Sequence, residues 1–162
     1  MNNNEEKAKE DFMISEDNVI LGLEAETYQD VIKNLGSLLH ENGFVKDSYV
    51  QAVLDREEIF PTGLQVKGAG VAIPHTDCEH VHTSTVGIAT LSNEVDFKAM
   101  AEPEKIISVS VVIMLAVADK NKVVPVLRKV IDILQNESAI KALKNALSNF
   151  EAKSIFIDHL DT

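Results

Sequence analysis

One histidine in this chain sits where a side chain can do chemistry. Gly70-Val71-Ala72-Ile73-Pro74-His75 begins on glycine, runs apolar for three residues and stops at proline. Pro74 has no backbone N–H and a fixed φ, so a strand arriving there cannot simply continue its pairing. His75 is then the first side chain presented beyond a buried strand, aimed by a rigid element and left open by a loop. Neutral imidazole is a nucleophile near neutral pH, with a reference pKa of ~6.5. The same ring can instead be a structural donor to a loop carbonyl.

Upstream, Asp55-Arg56-Glu57-Glu58-Ile59-Phe60-Pro61-Thr62-Gly63 supplies a cation, carboxylates and a hydroxyl. Arg56 reads in two ways. Its guanidinium can grip a phosphoryl group in a bidentate fork. Alternatively it pairs with Asp55 or Glu57 on a solvated helix, worth ~0–1 kcal/mol. Thr62 can donate to a phosphoryl oxygen, or only cap the Pro61-Thr62-Gly63 turn. Gln65 and Lys67, in the loop before the strand, either face the site or solvent. His82 either assists His75 or simply starts the next strand. His75, Asp77, Cys78, His80 and His82 include side chains that zinc binds, but His-x4-His-x-His is not a structural-zinc spacing, and no metal is expected. His40 and His159 read as helix-end residues. Gly68 and Gly70 are not followed by a helix, so there is no P-loop or dinucleotide fingerprint.

The elements that must position these residues are strands interleaved with helices. Val19-Ile20-Leu21 suits a short strand. Thr27, three positions before Asp30, suits a helix start, with Tyr28, Val31, Ile32, Leu35, Leu38 and Leu39 at helical spacing and Asn42-Gly43 closing the helix. Asp47 or Ser48 caps a second helix, with Val50, Val53 and Leu54 inward. That helix ends near Phe60, because Pro61 disfavours helix at the residue before it. Gln65 to Gly70 reads as a loop and Val71 to Ile73 as a short strand. Val86–Leu91 and Val95–Phe97 read as two strands linked closely enough to pair antiparallel. Ile106 to Val117 is a nearly continuous apolar, β-branched run, the pattern of a strand covered on both faces. Three helices follow: Lys122 to Leu134, with Pro125 tolerable in its first turn; one marked by Ile140, Leu143 and Leu147; and one marked by Ile155, Phe156 and Leu160. The expected fold is α/β, a single-domain mixed sheet sandwiched between helices.

Composition narrows the function. The chain has 162 residues and a formal net charge of −11, an acidic balance that argues against nucleic acid and anionic membranes as partners. Its single cysteine allows no internal disulfide, which suits a reducing cytoplasm. The longest apolar run, Val111 to Ala118, falls short of the ~20 residues that span a bilayer. Residues 1–12, rich in Asn, Glu and Lys, read as a flexible tail without the apolar stretch of a signal peptide, and 13–162 as the folded domain.

Taken together, Arg56-Glu57, Phe60-Pro61-Thr62-Gly63-Leu64 and Val71-Ala72-Ile73-Pro74-His75-Thr76 resemble the signature of the enzyme IIA domains of the bacterial phosphoenolpyruvate-dependent sugar phosphotransferase system. The likeness is to the fructose–mannitol class (type 2), covers roughly residues 15 to 160, and within the class is closer to galactitol-type members. It implies the same sandwich architecture. It also implies a phosphoryl carrier in which His75 becomes a phosphohistidine at its tele nitrogen and Arg56 is the active-site arginine. The donor would be a phosphohistidine on the carrier protein HPr and the acceptor a cysteine on a cognate enzyme IIB, serving uptake through a membrane enzyme IIC. No cofactor is implied. Relatives of this fold also act as phosphorylation-dependent regulatory modules. One departure is clear. Mannitol- and fructose-type relatives carry a second histidine at the start of the helix after the long apolar strand, where this chain reads Asp119-Lys120-Asn121-Lys122-Val123-Val124-Pro125. That favours the galactitol type, whose members also hold histidine at the position of His82, and leaves open which group orients the His75 ring.

Overall fold

The computed structural model describes residues 12–160, so nearly all of the expected N-terminal tail lies outside the described residues. Six strands form one mixed sheet: β1 (Phe12–Met13), β2 (Val19–Leu23), β3 (Gly63–Val66), β4 (Ala69–Ala72), β5 (Ser84–Ala99) and β6 (Glu102–Ala116). The spine is the antiparallel pair β5–β6, registered from Thr85↔Ala116 to Ala99↔Glu102. On the far edge of β5 run β1 and β2, both parallel to it. On the far edge of β6 runs β4, parallel, with β3 antiparallel beyond it.

Helices cover both faces. α1 (Tyr28–Glu41) and α2 (Tyr49–Ile59) pack on one; α3 (Val123–Leu134), α4 (Glu137–Lys144) and α5 (Asn149–Leu160) on the other. The long apolar run is apolar throughout for this reason. Val112, Met114 and Ala116 of β6 face α1 and α2, whereas Val111, Ile113 and Leu115 face α3 to α5. Successive side chains of a strand point to opposite faces, so two covered faces demand an apolar residue at every position.

Local signals set most helix ends. The Thr27 hydroxyl accepts the Asp30 N–H at 3.2 Å, and Gly43 closes α1 at φ 81°. Ser48 stands at the N-cap of α2 but makes no capping bond. Its hydroxyl lies 2.7 Å from His80 Nδ1, while Asp47 pairs with His40.

Three expectations are corrected. Val86–Leu91 and Val95–Phe97 are not a pair of antiparallel strands but two halves of β5, each paired with β6. Thr90 opposes Val111 and Val95 opposes Val109, so the intervening residues bulge, and Ser92-Asn93-Glu94 sit exposed there. A polar triplet between apolar runs looks like a turn, yet a bulge absorbs it without reversing the chain. Second, Gln65 to Gly70 is not a loop. Gln65 and Val66 end β3, Gly68 turns at φ 92°, and β4 starts at Ala69. Gly70 lies inside β4, where a Cβ would meet the Ser108 carbonyl oxygen of β6 at 2.0 Å. The glycine is there for close backbone approach, not for a turn. Third, Leu147 lies past the end of α4 and is 92% exposed, so it does not belong to that helix's buried face.

Candidate functional site

The β3–β4 hairpin builds the site. Its register pairs Gly63 with Ala72, which sets Thr62 opposite Ile73 and folds the end of α2 back toward His75. Leaving β4, the chain stays tied to the sheet: Pro74 lacks an N–H, but its carbonyl accepts the Leu115 N–H at 3.0 Å. Beneath it, Tyr49 is fully buried and donates its hydroxyl to the Leu115 carbonyl at 2.6 Å.

His75 is half-buried, and its Nδ1 lies 2.8 Å from the Ile73 carbonyl oxygen. A carbonyl can only accept, so Nδ1 carries the proton and Nε2 carries the lone pair. The group that orients the ring is thus a backbone carbonyl two residues back, not a second histidine. Burial lowers the pKa of His75; the Ile73 bond opposes that shift, Arg56 adds to it, and Asp77 opposes it. The ring is therefore neutral and nucleophilic at neutral pH.

Arg56 stands in the last turn of α2, where its guanidinium lies 5.3 Å from the centre of the Phe60 ring and its Nη1 3.6 Å from Asp77 Oδ1. Asp77 is two residues beyond His75 and largely exposed, so the ion pair is loose and the guanidinium remains available to an incoming anion. The neighbours named at the outset, Asp55 and Glu57, are not its partners: Asp55 accepts from Gln51, and Glu57 turns inward.

Thr62 is buried. Its hydroxyl donates to the Glu57 carboxylate, with oxygens 3.0 and 2.9 Å away, and accepts the Ile73 N–H at 3.1 Å. The Thr62 N–H donates to the same carboxylate at 2.9 Å. Glu57 is the residue that sequence reasoning missed. The signal was its spacing, because Tyr49, Val53 and Glu57 share the buried stripe of α2 at intervals of four. A carboxylate on such a stripe, just before Pro61-Thr62-Gly63, needs internal donors.

His82 is exposed; its backbone N–H donates to the Phe44 carbonyl, and β5 starts at Ser84. His80 is turned toward Ser48 and Glu79. Among the described residues, no three or more His, Cys, Asp or Glu side chains are grouped so as to hold a metal ion. Gln65 donates to the Val66 and Ala69 carbonyls, bracing its own hairpin. A cavity of about 490 Å³ lies elsewhere, lined by Glu24, Glu26, Asp30 and Asn34 among others. Its carboxylates make it a poor seat for a phosphorylated molecule.

The buried carboxylate predicts a pH signature. Burial raises the pKa of Glu57 from 4.5 to about 7, against the two Thr62 hydrogen bonds that lower it. Between those values the folded chain holds a proton that the unfolded chain has released. Stability from this group is complete below about 4.5 and is lost as pH rises through about 7, a total of ~3 kcal/mol. His75, with its lowered pKa, works in the opposite sense below ~6.5. The difference between wild type and Glu57→Gln isolates the carboxylate: thermal melts should show the wild type losing stability relative to the variant across pH ~5 to ~7. Parallel curves would place the titration elsewhere.

The family model "Phosphoenolpyruvate-dependent sugar phosphotransferase system, EIIA 2" matches residues 12–159. The galactitol-specific EIIA component of the phosphotransferase system in Escherichia coli (strain K12) is 30% identical over 114 residues, 70% of this chain and 75% of that protein. The mannitol-specific EIICBA component of Buchnera aphidicola is 31% identical over 144 residues, 87% of this chain but 21% of that longer protein. Among solved structures, the complex of mannitol enzyme IIA with phosphorylated mannitol enzyme IIB from Escherichia coli includes a chain that superposes with a TM-score of 0.74 at 29% identity, covering 91% of this chain and 99% of that one.

Proposed function

The chain belongs to the EIIA 2 family of the phosphoenolpyruvate-dependent sugar phosphotransferase system, and from that premise we propose that it carries a phosphoryl group on His75 Nε2 between HPr and a cognate enzyme IIB. The observation that supports this most is the hydrogen bond from His75 Nδ1 to the Ile73 carbonyl, which leaves Nε2 unprotonated on a ring that the Arg56 charge helps keep neutral. The Nε2 lone pair attacks phosphorus of the donor's phosphohistidine. The new N–P bond forms as the old one breaks, and the donor nitrogen keeps the electron pair. Onward transfer reverses the roles. A cysteine thiolate of enzyme IIB attacks phosphorus, and Nε2 recovers its lone pair. No water and no cofactor enter the balance. Positioned cations and N–H groups are most of what such a transfer requires, because the charge spreads over three phosphoryl oxygens.

The solved complex of a mannitol enzyme IIA with phosphorylated enzyme IIB supports the choice of acceptor. The substrate served is a sugar or polyol, of galactitol type by the missing second histidine and by the galactitol-specific relative. In this reading residues 13–162 are the carrier domain, acting in the cytoplasm, with enzyme IIC reached only through enzyme IIB. No helix among the described residues is long and apolar enough to cross a membrane.

The test is phosphotransfer. Purified protein is incubated with phosphoenolpyruvate, enzyme I and HPr, then with candidate enzyme IIB proteins. Acid-labile label on this chain, discharged by one of them, is the expected result. Label that no enzyme IIB removes would point to a regulatory module of the same fold; no label at all would overturn the carrier. In the same assay His82→Gln should cost far less than His75→Ala, since His82 is exposed and carries no proline-fixed backbone before it. Equal loss in two folded variants would mean that the histidines have been ranked in the wrong order.

A further inference from the structure

A chain of short hydrogen bonds runs from the core to the acceptor ring. It begins at the Glu57 carboxylate, passes through the Thr62 hydroxyl to the Ile73 N–H, and continues from the Ile73 carbonyl to His75 Nδ1. Each link has a fixed sense. Above about pH 7, where Glu57 is ionised, its carboxylate only accepts, so the Thr62 hydroxyl must point its proton at Glu57. The hydroxyl's lone pairs are then turned to the one donor on its other side, the Ile73 N–H. Ile73 has little other freedom: its side chain is fully buried, and Pro74 holds the residue before it in extended conformations. With its N–H fixed, its carbonyl is aimed at the ring.

We propose that Glu57 and Thr62 are positioning residues for phosphoryl transfer, acting through Ile73 to hold His75 as the tautomer with Nδ1 protonated and Nε2 open to phosphorus. The inference deepens the carrier reading and rests on it for its functional meaning. It gives Thr62 a role different from donation to a phosphoryl oxygen, since its single proton is committed inward. It also explains why a carboxylate is kept on the buried stripe of α2, where an apolar residue would pack at lower cost. Glu57 is there to set the direction of one hydroxyl.

The test separates position from mere stability. Histidine ring nitrogens are labelled with nitrogen-15, and the tautomer of His75 is read by NMR in the unphosphorylated protein. Single-turnover transfer from phosphorylated HPr is measured alongside. Thr62→Val keeps the shape and removes the hydroxyl; Thr62→Ser keeps the hydroxyl. The expected result is a mixed His75 tautomer and about tenfold slower transfer in Thr62→Val, the size of one lost hydrogen bond, with both restored in Thr62→Ser. A folded Thr62→Val with the wild-type tautomer overturns the inference, whatever its melting temperature. Should that variant not fold, Glu57→Gln is read the same way, because an amide N–H2 against the hydroxyl competes with Ile73 for its lone pairs. An unchanged ring there overturns the inference too. The tautomer needs no phosphate, so it decides this question even if wild type takes no label from HPr, a result that would sink the carrier reading instead.

Discussion

His75→Ala is expected to abolish acid-labile phosphorylation by phosphorylated HPr while the variant keeps its fold. Total loss is expected because, among the described residues, His75 Nε2 combines a lone pair left free by the hydrogen bond at Nδ1 with the influence of the Arg56 charge on its ring. His80 and His82 cannot substitute: the first is turned to Ser48 and Glu79, the second is exposed without a ring partner that would fix its tautomer. The structural cost is small. His75 is half-buried, so water can replace Nδ1 at the Ile73 carbonyl, and one exchanged hydrogen bond is worth ~0.5–1.5 kcal/mol. The backbone that presents the ring is fixed independently, by the Pro74 carbonyl on Leu115 and the Thr62 hydroxyl on Ile73. Label counting and circular dichroism on the same preparation check both halves. Undiminished histidine label in the variant would remove His75 from the relay.

The candidate acceptor, His75, was legible in the sequence and its support was not, for a physical reason. Pro74 and His75 are adjacent, and proline's effect on a strand end is local, so a six-residue window carries it. The α/β class, the five helices and the doubly covered β6 were legible in the same way, from periodicity and from an unbroken apolar run. Other features depend on register. Whether Ser92-Asn93-Glu94 turns or bulges is decided by what β6 offers opposite, not by the triplet itself. That Gly70 sits within a strand follows from the Ser108 carbonyl beside it. Glu57 reaches Thr62 across five residues and Thr62 reaches Ile73 across eleven, through a hairpin that the two glycines disguised as a loop. The ring's orienting group was hidden because backbone carbonyls leave no trace in a sequence. A bond from the ring to a loop carbonyl was one of the open readings of His75, but that the carbonyl is that of Ile73 follows only from the fold.

Arg56→Lys should slow transfer by ~10²–10³ while leaving the melting curve nearly unchanged, the loss being that of one well-placed donor to the transition state. Lysine preserves the positive charge, so long-range attraction of a phosphorylated partner survives. What it lacks is the planar fork that can hold two phosphoryl oxygens at once as charge redistributes between donor and acceptor nitrogens. The structural contacts of Arg56 are too weak to mimic such an effect. Its ion pair with Asp77 is long, at 3.6 Å, and its partner is 72% exposed, which places it at ~0–1 kcal/mol. The contact with the Phe60 ring, itself largely exposed, adds ~0.5–1 kcal/mol. Lysine retains part of both. A stability role would therefore show as a small shift in the melt and an unaltered rate; a phosphoryl-binding role shows as the reverse. The position of α2 favours the second, because the helix ends at Pro61 and the β3–β4 hairpin returns the chain to His75 on the same side, close enough for the guanidinium to oppose protonation of the ring. Single-turnover transfer from phosphorylated HPr, run beside thermal melts, measures both quantities on one protein. If Arg56→Lys transfers at the wild-type rate, Arg56 is a solvated helix-end residue and the cation that meets the phosphoryl group must be sought elsewhere, Lys67 on the hairpin turn being the next to substitute.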